Sequence, residues 1–346
     1  MNLLVFINTT RFFIETEWSK NVFNPCIGAN MSALSKRQFL KLSLASGVAL
    51  TLPACGGGDL EDIVTVLSSL SGYSLLVEAV QTAGLVDTLK GSGPFTVFAP
   101  NNDAFTALLS ELGISKDALF NDQPLLSAVL TYHVLPARVT ATSIPFGRAI
   151  TTVQGDIFKI DKVAGKPVIT DGRNRTSNIT VTNLVASNGV IHGIDRVILP
   201  ANKDIVATAQ SLSDFSILVE AVVAANLVST LQGAGPFTVF APTNAAFAAA
   251  LSALNTTKEE LFANTDLLTS ILTYHVVPAR VLKAEVPLNT AITTVEGTTL
   301  RVNSSLQVID ALSRPANIIA TDVLTSNGVI HVIDTVILPF DPTLPT

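Results

Sequence analysis

The strongest constraint on this chain is an internal repeat. The segment TLKGSGPFTVFAPNNDAF at 88–105 returns as TLQGAGPFTVFAPTNAAF at 230–247, an offset of 142 residues. Two further segments return in the same order: 130–139 at 272–281, and 187–200 at 326–339. Self-similarity at a fixed spacing indicates two copies of one folding unit. We therefore expect two tandem domains, at 59–200 and 201–340.

The two copies differ in length at one place. The offset falls from 142 at the first shared segments to 139 at the last, so the second copy lacks three residues between 154 and 186 of the first. In this stretch the first copy reads DGRNRTSN at 171–178 and the second reads DALSRPAN at 310–317. Length changes are tolerated at the surface, so we expect a surface loop here.

Each copy changes its pattern halfway along. LEDIVTVLSSL and SLLVEAVQTAG place apolar residues three and four apart, which predicts helices in the first half. PFTVFAP is typical of a short buried strand ended by proline, and Asn101 or Thr243 then stands where a helix N-cap belongs. The second half has short β-rich runs with turn residues such as Asn188-Gly189. The pattern predicts an α+β fold.

A leader precedes the repeats. From Met31 a basic segment, SALSKRQFLK, is followed by a largely apolar stretch of 11 residues at 42–52 and by LPAC at 52–55. This order is typical of a signal peptide, and the apolar run is shorter than the ~20 residues that span a bilayer. We expect a signal peptide at 31–55 and export to the cell envelope. Residues 1–30 do not fit such a signal, so we expect translation to begin at Met31 and residues 1–30 to be untranslated or unstructured.

LPAC resembles the lipobox of bacterial lipoproteins. That resemblance implies that Cys55 is the lipid attachment site and becomes the N-terminus of a membrane-anchored protein. The alternative is a signal peptide cut nearby, with a chance cysteine and a secreted product. SKRQFLK at 35–41 also resembles a twin-arginine signal, but Lys36 replaces the first arginine, so the general and twin-arginine routes both stay open.

Charge and composition exclude some classes of protein. Hydrophobic residues make up 48% and the mean hydropathy is +0.48, yet no apolar run reaches the ~18 residues of a membrane span. A polytopic membrane protein is therefore excluded.

Residues 1–58 carry a net charge of +3 and residues 59–346 carry −9, so nucleic acid is not expected as a partner. Cys26 and Cys55 both precede the repeats, so no disulfide staples either domain.

The repeated motifs resemble the fasciclin domain. GPFTVFAPNNDAF matches the first motif of that family, NGVIHGID matches the second, and a Tyr-His pair lies between them in both copies. The resemblance covers 59–200 and 201–340. It implies that each domain is a wedge-shaped β-sandwich of about seven strands with packed helices. It also implies a secreted or surface protein used in adhesion, with bacterial members exported or lipid-anchored.

The Tyr-His pairs are the candidate binding residues. They are Tyr132, His133, Tyr274 and His275. The resemblance implies a role in adhesion, since the Tyr-His motif is implicated in integrin-type adhesion by animal relatives. The alternative is that each ring lies in the core with its polar tip hydrogen-bonded inside the domain.

Catalysis and metal binding are not expected. GxSxG, HExxH, GxxxxGK[ST] and a helix-opening GxGxxG do not occur in the sequence. His133 and His192 have no neighbouring ligand pattern that would complete a metal site, and no cofactor is expected. Arg138 and Arg280 could pair with Asp195 and Asp334 within their own domains, and we give these residues no functional role.

Three hypotheses about function follow. The first is a lipid-anchored surface protein that mediates cell adhesion or contacts with an extracellular protein, matrix or polysaccharide, in which tandem domains add weak contacts. The second is a protein that binds a small molecule or glycan, or an enzyme with an unseen pocket, which predicts that one repeat diverges to build a site. The third is a structural component of the envelope or a biofilm without a specific partner.

Overall fold

A computed structural model of the protein describes residues 60–340. Within these residues one series of helices and strands occurs twice, in the same order. The first domain contains α1 (Ile63–Ser68), α2 (Ser74–Thr82), α3 (Val86–Lys90), β1 (Phe95–Pro100), α4 (Asn102–Leu112), α5 (Lys116–Asn121), α6 (Gln123–Tyr132), β2 (Val134–Leu135), β3 (Ile150–Thr151), β4 (Ile157–Val163), β5 (Lys166–Thr170), β6 (Thr176–Ala186) and β7 (Gly189–Ile194). The second contains α7 (Ile205–Gln210), α8 (Ser216–Ala224), α9 (Val228–Leu231), β8 (Phe237–Pro242), α10 (Asn244–Ala253), α11 (Lys258–Ala263), α12 (Thr265–Tyr274), β9 (Val276–Val277), β10 (Ala291–Thr293), β11 (Thr299–Val302), β12 (Gln307–Ile309), β13 (Pro315–Thr325) and β14 (Gly328–Ile333).

Each domain has seven strands in one hydrogen-bonded order. In the first domain the order is β2-β1-β7-β6-β5-β4-β3, and in the second it is β10-β11-β12-β13-β14-β8-β9. The pairs β1–β7 and β8–β14 are parallel, whereas the other neighbours are antiparallel. Helices fill the first half of each domain. The predicted α+β fold with about seven strands per domain is therefore confirmed.

The sheet folds over on itself to form a sandwich. Phe98 on β1 and Phe158 on β4 stack edge to face with ring centroids 5.2 Å apart, although three strands lie between β1 and β4 in the sheet. The fold-over passes through the long strand β6, whose pairing with β7 shifts register on both sides of Val181. Such bulges bend a strand and increase its twist. The inner layer is apolar and includes Ile160 and Ile194.

The helices cover the opposite face of the central strands. Buried apolar residues of α1, α2 and α6, such as Leu67, Leu76 and Val129, form one cluster with Val97 of β1 and Ile191 of β7. Burying a side chain of this size contributes about 1.5–3 kcal/mol. Because no disulfide crosses these layers, packing of this kind carries the stability of each domain.

Strand β1 leads directly into helix α4 through the predicted cap. The Asn101 side-chain oxygen accepts the Ala104 N–H at 2.8 Å, and Thr243 accepts the Ala246 N–H at 3.2 Å in the second domain. Both N-cap predictions are confirmed. The cap satisfies one of the donors that a helix leaves unpaired at its first turn.

The length difference between the repeats lies in a hairpin. Strands β4 and β5 are joined by a turn at Ala164 and Gly165, both with positive φ, and the matching strands β11 and β12 are shorter. The 171–178 segment matches 310–317 without a gap, because Asp171 and Arg175 occupy the places of Asp310 and Arg314. The expected position of the length change at 171–178 was therefore wrong, and the three additional residues lie in the β4–β5 hairpin.

Candidate functional site

The Tyr-His pairs lie where a helix turns into an edge strand. Helix α6 ends at Tyr132, His133 is its C-cap, and β2 follows at once. Helix α12, His275 and β9 repeat this arrangement. The Tyr132 ring belongs to the apolar cluster inside the sandwich, whereas His133 lines a cavity next to the helices, so both side chains are directed into the domain. All four side chains are buried.

Each tyrosine hydroxyl ties the end of its helix to two other parts of the domain. The Tyr132 hydroxyl donates to the Ile157 carbonyl at 2.7 Å and accepts the Gly172 N–H at 2.8 Å. Tyr274 makes the matching bonds to the Thr299 carbonyl at 3.0 Å and from the Ala311 N–H at 2.9 Å. Burial raises the pKa of Tyr274 to about 12, and burial also raises the pKa of Tyr132 well above its ordinary value. These hydroxyls are therefore structural groups that stay protonated.

Each histidine of the pairs is held by two backbone groups. The His133 Nδ1–H donates to the Val129 carbonyl at 2.7 Å, and Nε2 accepts the Ile198 N–H at 3.1 Å. His275 has the same two contacts, at 2.7 Å and 3.2 Å. A carbonyl can only accept and an N–H can only donate, so the tautomer is fixed. Burial lowers the pKa of both rings to about 4, so both are neutral near pH 7.

The other two histidines, His192 and His331, form hydrogen bonds with the long bulged strands β6 and β13. His192 Nε2 donates to the Val139 carbonyl at 2.8 Å, and its Nδ1 accepts the Asn183 N–H at 3.4 Å. His331 repeats both contacts in the second domain. His192 also stacks on Phe98, and burial lowers its pKa. All four histidines of the chain thus hold backbone turns in place.

A buried aspartate in each domain anchors the turn before the longest strand. Asp171 accepts the backbone N–H groups of Arg173 and Arg175, the N–H of Leu199, and the Arg175 guanidinium at 2.7 Å. Asp310 and Arg314 repeat the ion pair. The sequence prediction missed this group, although the same Asp and Arg spacing in both copies was the available signal. Buried carboxylates of this kind are retained where their hydrogen bonds are complete.

The pairing suggested for the NGVIH aspartates was wrong. Asp195 binds the backbone and side-chain amide of Asn178, with both contacts at 2.7 Å, and Asp334 binds Asn317 in the same way. Arg138 is exposed. A carboxylate next to a strand end satisfies neighbouring N–H groups more readily than it reaches a distant guanidinium.

Each domain also contains an apolar cavity at an equivalent place. The cavity of the second domain, about 50 Å³, is lined by residues such as Leu218, Phe237 and His275. The cavity of the first domain, about 40 Å³, is lined by the matching Leu76, Phe95 and His133. Because both repeats have it, the cavity is a feature of the domain and not a site built by divergence of one copy.

Three further observations concern only part of the chain. Cys55 lies outside the described residues, so the lipid attachment prediction stays a prediction. Among residues 60–340 no cluster of three or more His, Cys, Asp or Glu side chains could hold a metal ion. No helix within that range is both long and apolar enough to cross a membrane.

Comparison with known proteins identifies the family. The model of the fasciclin domain matches residues 71–200 and again 213–339. The chain therefore belongs to the fasciclin domain family and contains two fasciclin domains in tandem.

Relatives occur in animals and bacteria. The chain is 30% identical over 260 residues to transforming growth factor-beta-induced protein ig-h3 of Sus scrofa, an alignment that covers 75% of this chain and 37% of the pig protein. It is 47% identical over 140 residues to protein sll1483 of Synechocystis sp., which covers 40% of this chain and 73% of the relative. The chain thus spans just over a third of the length of the pig protein.

Solved structures are also similar. Among them is a fasciclin domain pair from the insect cell adhesion molecule fasciclin I, 18% identical with a TM-score of 0.40, and the match covers 75% of this chain and 95% of that chain.

Proposed function

We propose that this chain is an exported surface protein that mediates adhesion or extracellular protein and matrix contacts through its two fasciclin domains. The observation that carries this proposal is that both domains match the fasciclin model and that both keep the same internal hydrogen bonds of the tyrosine and the same buried aspartate. Two intact binding modules in one chain raise the effective concentration of the second contact once the first has formed.

The Tyr-His pairs contribute to binding indirectly, by stabilising the fold of each domain. Their side chains have no surface available to a partner, because Tyr132 and Tyr274 are fully buried and the histidines nearly so. Their adhesive contribution is to hold the helix ends and the β5–β6 turn in place, so that exposed residues around them keep their positions.

Binding of purified residues 59–346 to immobilised matrix proteins, polysaccharides and whole cells tests the proposal. We expect saturable binding to at least one surface. The matched control replaces Tyr132 and Tyr274 by Phe, which keeps the rings and removes only the hydroxyl groups. At a temperature where circular dichroism shows this variant folded, its binding should equal that of the natural chain. The absence of binding to every surface would oppose the adhesion proposal.

The anchor is proposed to be a diacylglyceryl group on Cys55, added after removal of the signal at 31–55. Mass spectrometry of the membrane fraction should show a mature N-terminus at a lipid-modified Cys55. The Cys55→Ser variant should move from the membrane to the soluble fraction. If Cys55→Ser leaves the protein equally membrane-bound, the lipid anchor is wrong, whatever the binding assay shows.

A further inference from the structure

The contacts between the two domains form a joint with two different halves. We name the half contributed by the first domain the hairpin face; it comprises Ala149, Ile157, Lys159 and Asn174. We name the half contributed by the second domain the turn face; it comprises Leu282, Glu285, Asp322 and Leu324. The two halves differ in sequence and structure, so the joint is a heterologous contact.

Polar groups at the centre of the joint are paired across it. The Lys159 ammonium lies 2.9 Å from the Asp322 carboxylate, and both groups are buried. The Asn174 amide donates to the Leu324 carbonyl at 3.0 Å and accepts the Leu324 N–H at 2.7 Å. Lys159 also lies 3.0 Å from the Asp161 carboxylate of its own hairpin. Burial opposes the charge on Lys159, but the Asp322 and Asp161 carboxylates together outweigh that effect and raise the pKa of Lys159.

Apolar packing and a second carboxylate complete the joint. Ile157 lies in one buried cluster with Leu282 and Leu324. The Ala149 N–H donates to the Glu285 carboxylate at 3.3 Å. The turn face thus supplies a carboxylate opposite both the Lys159 ammonium and the Ala149 N–H.

Because the domains are repeats, each also carries a copy of the other face. The Tyr132 hydroxyl bonds the carbonyl of Ile157, and the Tyr274 hydroxyl bonds that of Thr299, so Thr299 takes the place of Ile157. By the same register Arg301 takes the place of Lys159. The second domain therefore has a hairpin face of its own.

The hairpin face of the second domain is open. Ala291, Thr299, Arg301 and Ser313 are exposed, and they line a groove of about 420 Å³. Arg301 retains the positive charge that binds a carboxylate in the internal joint. An arginine is well suited to this contact because its guanidinium binds a carboxylate through two parallel hydrogen bonds.

The turn face of the first domain is open too, but its carboxylates have been replaced. Asn183 has the same positive φ as Asp322, 59° against 60°, and occupies its place. Ser143 occupies the place of Glu285, since its hydroxyl accepts the Thr140 N–H as Glu285 accepts that of Leu282. Both acidic partners of the internal joint are therefore absent from the exposed turn face.

The charges that remain on the two open faces have the same sign. Arg301 stands on one, and Arg138 stands beside the other, in the place of Arg280. Asp310 also lines the groove, but its carboxylate is buried and paired with Arg314. The cationic groups of the two open faces repel each other, and like charges at an interface disfavour a wrong partner.

We propose that the open hairpin face of the second domain is a docking surface for a fasciclin-type domain whose turn face carries carboxylates at the places of Glu285 and Asp322. A second copy of this chain is excluded, because its exposed turn face has Ser143 and Asn183 instead. A heterologous joint whose ends matched would add copies head to tail without closing. The two replacements keep the chain from doing so.

The test restores the carboxylates on the exposed turn face. The variant Ser143→Glu/Asn183→Asp introduces the residues that the second domain already accommodates on the same backbone. Sedimentation velocity over about a hundredfold range of concentration should show the natural chain at constant mass. The weight-average mass of the variant should rise about twofold or more, and high salt should reduce this rise.

Controls assign the assembly to Arg301. Adding Arg301→Ala to the double acidic variant should return it to the mass of the natural chain. The Ser143→Gln variant, whose side chain has the size of glutamate but no charge, should not assemble. Asn183→Asp alone is nearly isosteric, so it folds even if the double variant does not, and it should raise the mass less. Constant mass for both acidic variants, assembly that survives Arg301→Ala, or equal self-association of the natural chain would overturn the proposal.

Discussion

The side chains of the Tyr-His motif stabilise the fold and do not form a contact surface. The sequence shows that Tyr132 and His133 belong to a repeated motif, but it does not decide whether their side chains contact a partner or lie in the core. The structure buries both side chains and gives each two backbone partners. Sequence could not decide this, because a tyrosine and a histidine each combine an apolar ring with a polar tip and suit either environment.

The buried histidines predict a pH dependence of stability. In the folded state burial lowers the pKa of His133 and His275 from the ordinary 6.5 to about 4. Between these values the unfolded chain binds more protons, so the free energy of unfolding falls as the pH is lowered through this window. Each histidine should account for a loss of about 3 kcal/mol.

Urea unfolding between about pH 7 and pH 4 measures this effect. The variant His133→Gln/His275→Gln is less stable near neutrality, but its stability should change less with pH, since two titrating groups are gone. An unfolding free energy of the natural chain that depends on pH no more steeply than that of the variant would show that the histidines are not held neutral by the fold.

Helices and strands could largely be predicted from the repeat and its periodicity. The helices in the first half, the strand FTVFAP and the N-caps Asn101 and Thr243 all occur where the pattern indicates. The two-residue strands β2 and β3 could not be predicted, because they are defined by their partners and not by a local pattern. The hairpin position of the length change also needed the structure, since sequence gives only the interval in which three residues are missing.

The Asn-Gly step does more than form the turn predicted from sequence. The Asn188 side chain accepts the Ile63 N–H at 3.1 Å and donates to the carbonyls of Leu89 and Gly91 at 2.7 Å and 2.8 Å. Gly189 follows because a Cβ there would lie 2.3 Å from the Phe95 carbonyl oxygen. The β6–β7 turn is therefore bound to the start of α1 and the end of α3.

Replacing Asn188 by Asp should destabilise the first domain strongly. The substitution keeps the shape but turns two hydrogen-bond donors toward carbonyls into acceptors, so two buried acceptors face a negative charge. We expect a loss of about 3 kcal/mol or more in the free energy of unfolding. The exposed Asn255→Asp is the matched control and should change stability by less than about 0.5 kcal/mol. Equal effects of the two substitutions in chemical denaturation would contradict this role.

The two domains are held together by a joint that cannot be predicted from any single segment of the sequence. Lys159 and Asp322 are 163 residues apart, and nothing in the spacing of either residue indicates that they meet. The repeat predicts two equal domains, whereas the joint uses a different face of each. Comparison of the repeats at Asp322 and Asn183 becomes informative only once the contact is known.

The joint predicts a coupling between Lys159 and Asp322. Lys159→Met leaves the buried Asp322 carboxylate without its partner across the joint, and should cost about 3–5 kcal/mol. The double variant Lys159→Met/Asp322→Asn should recover most of this loss, because Asn183 shows that asparagine fits the same turn in the first domain. A double-mutant cycle by thermal unfolding gives the coupling energy. Losses that simply add would show that the two groups act independently.

The most direct test of adhesion is the attachment of cells that carry the chain. The fraction of cells retained under flow on a surface coated with the best binding partner should be higher with the natural chain than with a deletion strain. Cells with the folded Tyr132→Phe/Tyr274→Phe variant should attach equally well, since both hydroxyl groups are buried. Attachment no better than that of the deletion strain would contradict the account.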